Sequence, residues 1–213
     1  MKPRGQNSNG RRERRAEPLL RQRAPETQRF ENILADVPLA LDRQTRAKSV
    51  QLLNQVLVDT IALRDLYKKC HWQVSGPTFY QLHLLFDKHA EEQTKLADEV
   101  AERVQTLGGL AAGMPDQVAE MTAIELPPPG REEVPVQISR LLDAHQTIMK
   151  SVRTAAERAD EAGDPGTNDL LVSEVLRSNE TQAWFLYEHV VKMNLVTAGE
   201  STESRKRSRA GRR

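Results

Sequence analysis

One stretch of the sequence, residues 83–107, constrains the fold most, because its polar and apolar residues separate on a helical wheel. At about 100° per residue, its apolar residues cluster between roughly 220° and 300°. Four residues of the types that bind metals lie between about 0° and 100°. These residues are His83, Asp87, Asp98 and Glu102. The helix is therefore expected to bury one face in its own bundle and to turn the ligand face away from that core.

The four ligand-type residues form two pairs that are too far apart to bind one ion. Asp87 and Asp98 are separated by roughly 16 Å along the helix axis, which is several metal–ligand bond lengths. A two-fold dimer would bring the first pair of one subunit against the second pair of the other. His71, twelve residues before His83, adds another imidazole to the first pair. Imidazole and carboxylate ligands at these spacings suit iron.

The sequence around this helix resembles the Dps family, the ferritin-like mini-cages known as DNA-binding proteins from starved cells. The resemblance covers roughly residues 44–193 and implies a ferroxidase centre, with two irons, at a two-fold subunit interface. Trp72 would lie beside that centre, either as interface packing or as an electron donor that intercepts radicals. The ligands would be His71, His83 and Asp87 of one chain, with Asp98 and Glu102 of its partner. The matching motif is Lys68-x-x-His71-Trp72-x-x-x-Gly76-x-x-Phe79-x-x-x-His83-x-x-x-Asp87, then Asp98-x-x-x-Glu102-Arg103 and Leu107-Gly108-Gly109.

The periodicity of the chain predicts an all-α fold, a ferritin-like four-helix bundle with a short helix in the long crossover between helices two and three. Asp164 followed by Pro165 is typical of a helix start, with an N-cap and a proline at the first helical position. The expected helices span 42–74, 83–107, 114–121 (the short one), 134–162 and 164–195. The expected organisation is a basic tail (1–29), a connector (30–42), the Dps domain (43–197) and a second basic tail (198–213).

The net charge of +1 hides an acidic body with basic ends. Residues 1–29 carry nine Lys/Arg and three Glu, and residues 199–213 carry six Lys/Arg and two Glu, which leaves −9 on the rest. Both tails are expected to be disordered, and twelve copies on one cage would present a dense polycation to DNA phosphates without reading sequence. The alternative is that the tails only add solubility. The candidate DNA contacts are Arg11, Arg12, Arg14, Arg15, Arg21, Arg23, Arg205, Lys206, Arg207, Arg209, Arg212 and Arg213.

Other features of the sequence indicate where the protein resides and whether its N-terminal extension carries a further metal site. No apolar stretch approaches the roughly 18 to 20 residues that span a membrane, and the basic N-terminus lacks the apolar core of a signal peptide. A single cysteine, Cys70, fits a reducing compartment. We therefore expect a cytoplasmic, nucleoid-associated protein with no membrane partner. The N-terminal extension contains no His or Cys, so no additional metal site is expected there.

Several ionisable residues outside the five ligands have competing interpretations. In this family iron enters through acidic pores at the three-fold axes, and Asp160, Asp164 and Asp169 occupy the corresponding region, although acids at a helix start also follow from capping. His89 and His145 fall at apolar positions and are expected to be core histidines with satisfied hydrogen bonds. Lys68 is expected to form a salt bridge rather than to touch the metal.

The resulting hypothesis is a homo-dodecamer, built from two-fold dimers, that acts as a ferroxidase. It would oxidise Fe(II), preferring hydrogen peroxide to dioxygen, store Fe(III) inside the cage, and protect DNA through its tails. One alternative is an architectural DNA-compacting protein with a vestigial metal site, and another is an iron-storage cage that does not bind DNA. A larger ferritin is disfavoured because no Glu is followed three residues later by His.

Overall fold

A computed structural model describes residues 25–191, and within that range the regular secondary structure is entirely helical. The ferritin-like four-helix prediction is confirmed. The elements are α1 (Arg43–Gln73), α2 (Phe79–Thr106), the short α3 (Pro115–Met121) and α4 (Val134–Glu161), followed by a last helix in three parts. Those parts are α5 (Pro165–Asp169), a π-helical segment (Leu170–Leu176) and α6 (Arg177–Tyr187). No helix in this described range is long and apolar enough to cross a bilayer.

Two predicted helix boundaries differ from the structure. Helix α2 begins at Phe79 rather than near residue 83, because its first three residues are exposed and do not follow the apolar period that a sequence pattern reveals. Helix α6 ends at Tyr187 rather than near residue 195, and the chain then turns, with the backbone N–H of His189 donating to the carbonyl of Leu186. The predicted tails and their basic residues, at 1–24 and 192–213, lie outside the described residues.

The helix starts that the sequence indicated have the expected caps. Asp42 caps α1 by accepting hydrogen bonds from the backbone N–H groups of Gln44 (2.8 Å) and Thr45 (3.0 Å). Asp164 caps α5 by accepting from the backbone N–H of Thr167 at 3.0 Å. Pro165 and Pro115 occupy the first turns of α5 and α3, where a missing N–H costs nothing.

The apolar core forms two adjoining clusters along the bundle. One cluster, which includes Leu63, Phe86 and Leu141, lies beneath the end of α1 that carries His71. The other includes Leu57, Val100 and Leu171, and it fills the half of the bundle near the start of α1. The apolar face predicted for α2 is buried in these clusters, so its ligand face points away from the core as expected.

The connector before α1 is irregular and is fastened by a buried arginine. Arg46 is 2% exposed, and its guanidinium donates only to backbone carbonyls, without a carboxylate partner among the described contacts. Because one of these carbonyls belongs to Leu107, the side chain ties the connector to the end of α2. The four acceptors are Leu34 (3.0 Å), Ala35 (3.0 Å), Leu41 (3.2 Å) and Leu107 (2.9 Å).

Candidate metal centre

The first half of the candidate centre is built from the end of α1 and the beginning of α2. The tight connection Ser75-Gly76-Pro77 reverses the chain, with Gly76 at a φ of +96°, so that His71 and His83 face each other. Their imidazole rings stack with centroids 3.8 Å apart and an interplanar angle of 20°. The ring of Phe79 stacks on the other side of His83 at 5.0 Å. Both imidazoles are therefore held in fixed orientations.

Reciprocal hydrogen bonds also fix the tautomers of the two histidines. The Nδ1 of His71 lies 2.8 Å from the carbonyl oxygen of His83, and the Nδ1 of His83 lies 3.0 Å from the carbonyl oxygen of His71. Because a carbonyl only accepts, both Nδ1 atoms must carry the proton. Each Nε2 is then left with a lone pair, which is the form of imidazole that binds metal ions.

Asp87 adds a carboxylate to the two imidazoles. One of its oxygens lies 4.0 Å from Nδ1 of His71 and accepts a hydrogen bond from the Lys68 ammonium at 2.5 Å. That bond is the main reason why the pKa of Asp87 is lowered. The carboxylate is therefore ionised at neutral pH, and the salt bridge expected of Lys68 is confirmed.

The other two candidate ligands are not brought to this group within one chain. Asp98 and Glu102 lie further along α2 and are exposed, and a surface groove of about 390 Å³ beside Asp98 is lined by residues of α1, α2 and the following loop. Among residues 25–191 of a single chain, no three His, Cys, Asp or Glu side chains converge on a point that could hold a metal. A centre with all five ligands therefore requires a second subunit.

The other residues singled out from the sequence lie in different surroundings. Trp72 is 70% exposed, one residue after His71. Asp160 and Asp169 are exposed, and Asp169 accepts a hydrogen bond from the Ser173 hydroxyl. Asp164 is instead 1% exposed, and besides capping α5 it accepts from Arg103 at 2.6 Å. Among the described contacts, the Asp164 carboxylate is therefore engaged by Arg103 and Thr167, whereas Asp160 and Asp169 contact neither residue.

A buried polar cluster at the centre of the bundle confirms the prediction for His89 and His145. Both are almost fully buried, and both contact the hydroxyl of Tyr67, His145 through Nε2 at 2.5 Å and His89 through Nδ1 at 3.1 Å. Burial lowers the pKa of His89 to about 4 and that of His145 to about 3, so both rings are neutral at physiological pH. The apolar stripe of the first helix predicts Tyr67 as a core residue, but nothing in that pattern predicted its hydrogen bonds to the two histidines.

The comparisons with known proteins agree with this architecture. The family described as the ferritin-like domain matches residues 50–196. The chain is 32% identical to the DNA protection during starvation protein of Agrobacterium fabrum, over 70% of this chain and 93% of that protein. It superposes on DpsC from Streptomyces coelicolor with a TM-score of 0.79 and 58% identity, over 81% of this chain and 100% of the other. An archaeal Dps homologue from Halobacterium salinarum superposes with a TM-score of 0.77 at 26% identity, over 83% of this chain and 97% of the other. The chain belongs to the Dps family of ferritin-like proteins.

Proposed function

We propose that this protein is a ferroxidase that oxidises Fe(II), preferentially with hydrogen peroxide, and stores the Fe(III) product inside a dodecameric cage. The observation that carries the proposal is the mutual fixation of His71 and His83. Two imidazoles with Nδ1 protonated and Nε2 free lie beside a carboxylate that Lys68 keeps ionised. Neutral imidazole and carboxylate are ligands for Fe(II) that leave coordination positions open for an oxidant.

The remaining ligands would come from a partner subunit across a two-fold axis. Asp98 and Glu102 are exposed on the same face of α2 as His83 and Asp87, so a partner running in the opposite direction can supply them. In this arrangement each dimer carries two identical centres. In the overall reaction each Fe(II) gives up one electron, and hydrogen peroxide takes two electrons and two protons to become water.

Iron would reach the interior past Asp160 and Asp169 near the start of the last helix. Both carboxylates are exposed and lie on either side of the corner between α4 and α5. We leave Asp164 out of the proposed pore, because its oxygens are occupied by Thr167 and Arg103.

The test of the ferroxidase activity compares the parent with Asp98→Ala and with Glu99→Ala. Glu99 is the adjacent exposed carboxylate, about 100° further around the helix, and is the matched control. Fe(II) is loaded anaerobically, peroxide is added, and oxidation is followed by absorbance while the oligomer size is checked. Rapid oxidation in the parent and in Glu99→Ala, with loss in an intact Asp98→Ala cage, is expected. Equal slow rates in all three would contradict a ferroxidase centre and favour the architectural DNA-compacting function.

We further propose that the basic tails hold the cage on DNA through phosphate contacts. Two observations support this: the excess of Lys/Arg at both ends of an acidic body, and the similarity to a relative named a DNA protection during starvation protein. The binding would be independent of sequence and strongly weakened by salt. It would place the removal of Fe(II) and peroxide beside the nucleoid in the cytoplasm.

The DNA test is a gel shift across a range of salt concentrations with full-length charge variants. One variant replaces the N-terminal arginines at 11, 12, 14, 15, 21 and 23 with Gln, and a second replaces the basic residues at 205–213. Weaker binding with a shallower salt slope is expected from each, whereas the control Arg131→Gln changes one exposed arginine on the body. Unchanged binding by the tail variants would favour an iron-storage cage whose tails do not contact DNA.

A further inference from the structure

The partners of the Tyr67 hydroxyl allow only one assignment of donors and acceptors in the hydrogen bonds around it. The Asn179 side-chain N–H donates to the carbonyl of Val175 at 2.7 Å, so its Oδ1 faces Nδ1 of His145 at 2.9 Å. An amide oxygen only accepts, and Nδ1 of His145 must therefore be protonated. Its Nε2 then carries the lone pair, and the phenolic O–H of Tyr67 must donate to it across 2.5 Å.

The second histidine completes the arrangement from the other side. Since the Tyr67 hydroxyl donates its hydrogen bond to His145, its oxygen accepts from Nδ1–H of His89 at 3.1 Å. Burial raises the pKa of Tyr67 well above its usual value, so the phenol keeps its proton. Tyr67 is thus a neutral phenol, 0% exposed, that is hydrogen bonded to a neutral base.

Tyr67 lies among the same helical segments that carry the candidate centre. It is one helical turn before His71, which corresponds to roughly 6 Å of rise along α1. The next residue, Lys68, holds Asp87 by a salt bridge. On α2 the ring of Phe86, adjacent to Asp87, lies 6.2 Å from the Tyr67 ring. The phenol ring is therefore about one helical turn from the α1 ligand and faces the residue next to Asp87, while solvent cannot reach it.

We propose that Tyr67 is a reversible one-electron donor to oxidants formed at the His71/His83 centre, with His145 as the base that takes the phenolic proton. The inference rests on the proposed ferroxidase function, which supplies Fe(II) and hydrogen peroxide at the centre. When a single Fe(II) reacts, it gives one electron to hydrogen peroxide, the O–O bond breaks, and the products are Fe(III), hydroxide and a hydroxyl radical, which is the oxidant. In the step, Tyr67 loses one electron to the oxidant. The O–H bond of Tyr67 breaks, and an N–H bond forms at Nε2 of His145. The oxidant takes the electron and a solvent proton to become water.

A second Fe(II) at the centre then restores the resting state. It gives one electron to the phenoxyl radical, the proton returns from His145 to the Tyr67 oxygen, and Fe(III) is the product. The sum of both steps converts one hydroxyl radical, one Fe(II) and one proton into water and Fe(III). An oxidant that would otherwise attack the protein is consumed in oxidising substrate. His145 is a neutral base for this transfer because burial lowers its pKa.

The three tyrosines of the chain allow a direct test on the full-length cage. Tyr80 and Tyr187 are 68% and 57% exposed, so the double variant Tyr80→Phe/Tyr187→Phe keeps Tyr67 as its only tyrosine. Tyr67→Phe is the reciprocal variant, and it preserves the packed ring. Each protein is loaded anaerobically with Fe(II), mixed with peroxide and frozen for electron paramagnetic resonance, and iron oxidation is followed by absorbance in the same samples.

The parent and the double variant are expected to give the same tyrosyl radical signal, which narrows when ring-deuterated tyrosine is incorporated. Tyr67→Phe is expected to lose the signal and to accumulate oxidised Trp72, measured by mass spectrometry. His145→Gln, which lacks a strong base, is expected to lower the radical yield while iron oxidation continues. A signal that survives in Tyr67→Phe, or that is absent from the double variant while iron is oxidised, overturns this inference alone. A parent that does not oxidise Fe(II) with peroxide overturns the proposed function, and the inference with it.

Discussion

The imidazoles of His71 and His83 donate to each other's backbone carbonyls, at 2.8 and 3.0 Å, across the turn that joins α1 to α2. Neither ring can rotate without breaking a hydrogen bond, and both nitrogens that we propose as metal ligands have a fixed orientation in the free protein. Such orientation reduces the reorganisation that binding requires. The two residues therefore form one preformed element, whereas the other two proposed ligands, Asp98 and Glu102, do not reach it within one chain.

Subunit mixing should reveal whether a centre draws its ligands from two chains. His83→Ala and Glu102→Ala subunits, each inactive alone, are expected to regain about a quarter of the parent centres when coexpressed, since half of the random dimers then contain one intact centre. The measurement is peroxide-dependent Fe(II) oxidation per subunit. Mixing His83→Ala with Asp87→Ala is the control, because both residues lie on the same half and no intact centre can form. Recovery in the control pair would contradict the arrangement.

The buried histidines should make the fold sensitive to acid. The pKa of His145 is lowered by burial from 6.5 to about 3, so the unfolded chain binds a proton that the folded chain does not. The contribution of His145 to stability is fully present above about pH 6.5 and falls by about 1.4 kcal/mol per pH unit down to about pH 3. His145→Gln should remove this part of the pH dependence of thermal unfolding and leave the part that comes from His89, whose pKa burial lowers to about 4. His189→Gln, at an exposed site, should leave the pH dependence unchanged.

Replacing the buried Arg46 should release the connector. Arg46→Met leaves the carbonyls of several segments without donors, and we expect it to destabilise the fold by about 3 kcal/mol or more. Thermal unfolding and limited proteolysis within residues 30–41 measure the two effects. Arg43→Met is the matched control, because Arg43 is exposed and makes one long hydrogen bond, 3.4 Å, to the carbonyl of Ile33. Equal losses in both variants would show that the buried hydrogen bonds are not the cause.

Alanine substitutions at two glycines with positive φ angles should distinguish the cost of backbone strain from the cost of a steric clash. Gly76→Ala meets no atom within 4 Å and should cost only the left-handed conformation, about 1–2 kcal/mol. Gly108→Ala has similar strain, and its new methyl would lie 2.8 Å from Val37 and 3.2 Å from Arg46. Overpacking should therefore add a further ~1–3 kcal/mol. Chemical denaturation of both variants measures the difference in their free energies of unfolding. No difference is expected if the connector can move away from the new methyl group without cost.

The contact of Arg103 with Asp164 should stabilise the corner between α4 and α5. Asp164→Asn keeps an N-cap residue but removes the charge that Arg103 contacts, so we expect a loss of about 2–3 kcal/mol. Asp160→Asn, four residues earlier and exposed, should leave the stability unchanged while slowing iron uptake. Thermal unfolding and iron loading, measured on both variants, distinguish a residue that holds the corner from one that lines a pore.

The sequence predicted the helices well wherever burial imposes a 3.6-residue period. Helix α4 was located almost to its ends because its apolar residues, from Ile138 to Ala159, pack against the core along its whole length. The start of α2 was missed by four residues because its first three residues are exposed and do not follow that period. The π-helical segment was missed as well, since a change of hydrogen-bonding register inside a helix has no marker in the pattern of hydrophobic residues.

The candidate site was predictable in its residue types but not in its internal contacts. Spacing alone placed His83, Asp87, Asp98 and Glu102 on one face of α2, and the structure agrees. The hydrogen bonds between the two histidines and the opposing carbonyls depend on the shape of the turn at Gly76, which no periodicity describes. The bonds of Tyr67 likewise join three helices that are far apart in the chain.

The π-helical segment Leu170–Leu176 lies between two parts of the last helix whose rotation about the helix axis is fixed by different contacts. Asp164 sets the rotation at the start of α5, and contacts to Gln93 and His145 set that of Asn179 further on. A π turn accommodates about one extra residue, so the α-helical segments before and after it both keep the rotation that their own contacts require. Deleting one residue here would convert the segment to a regular α-helix and leave both the corner and Asn179 in place. A deletion within α6 before Asn179 would instead rotate Asn179 by roughly 100° and remove the partner that fixes the tautomer of His145.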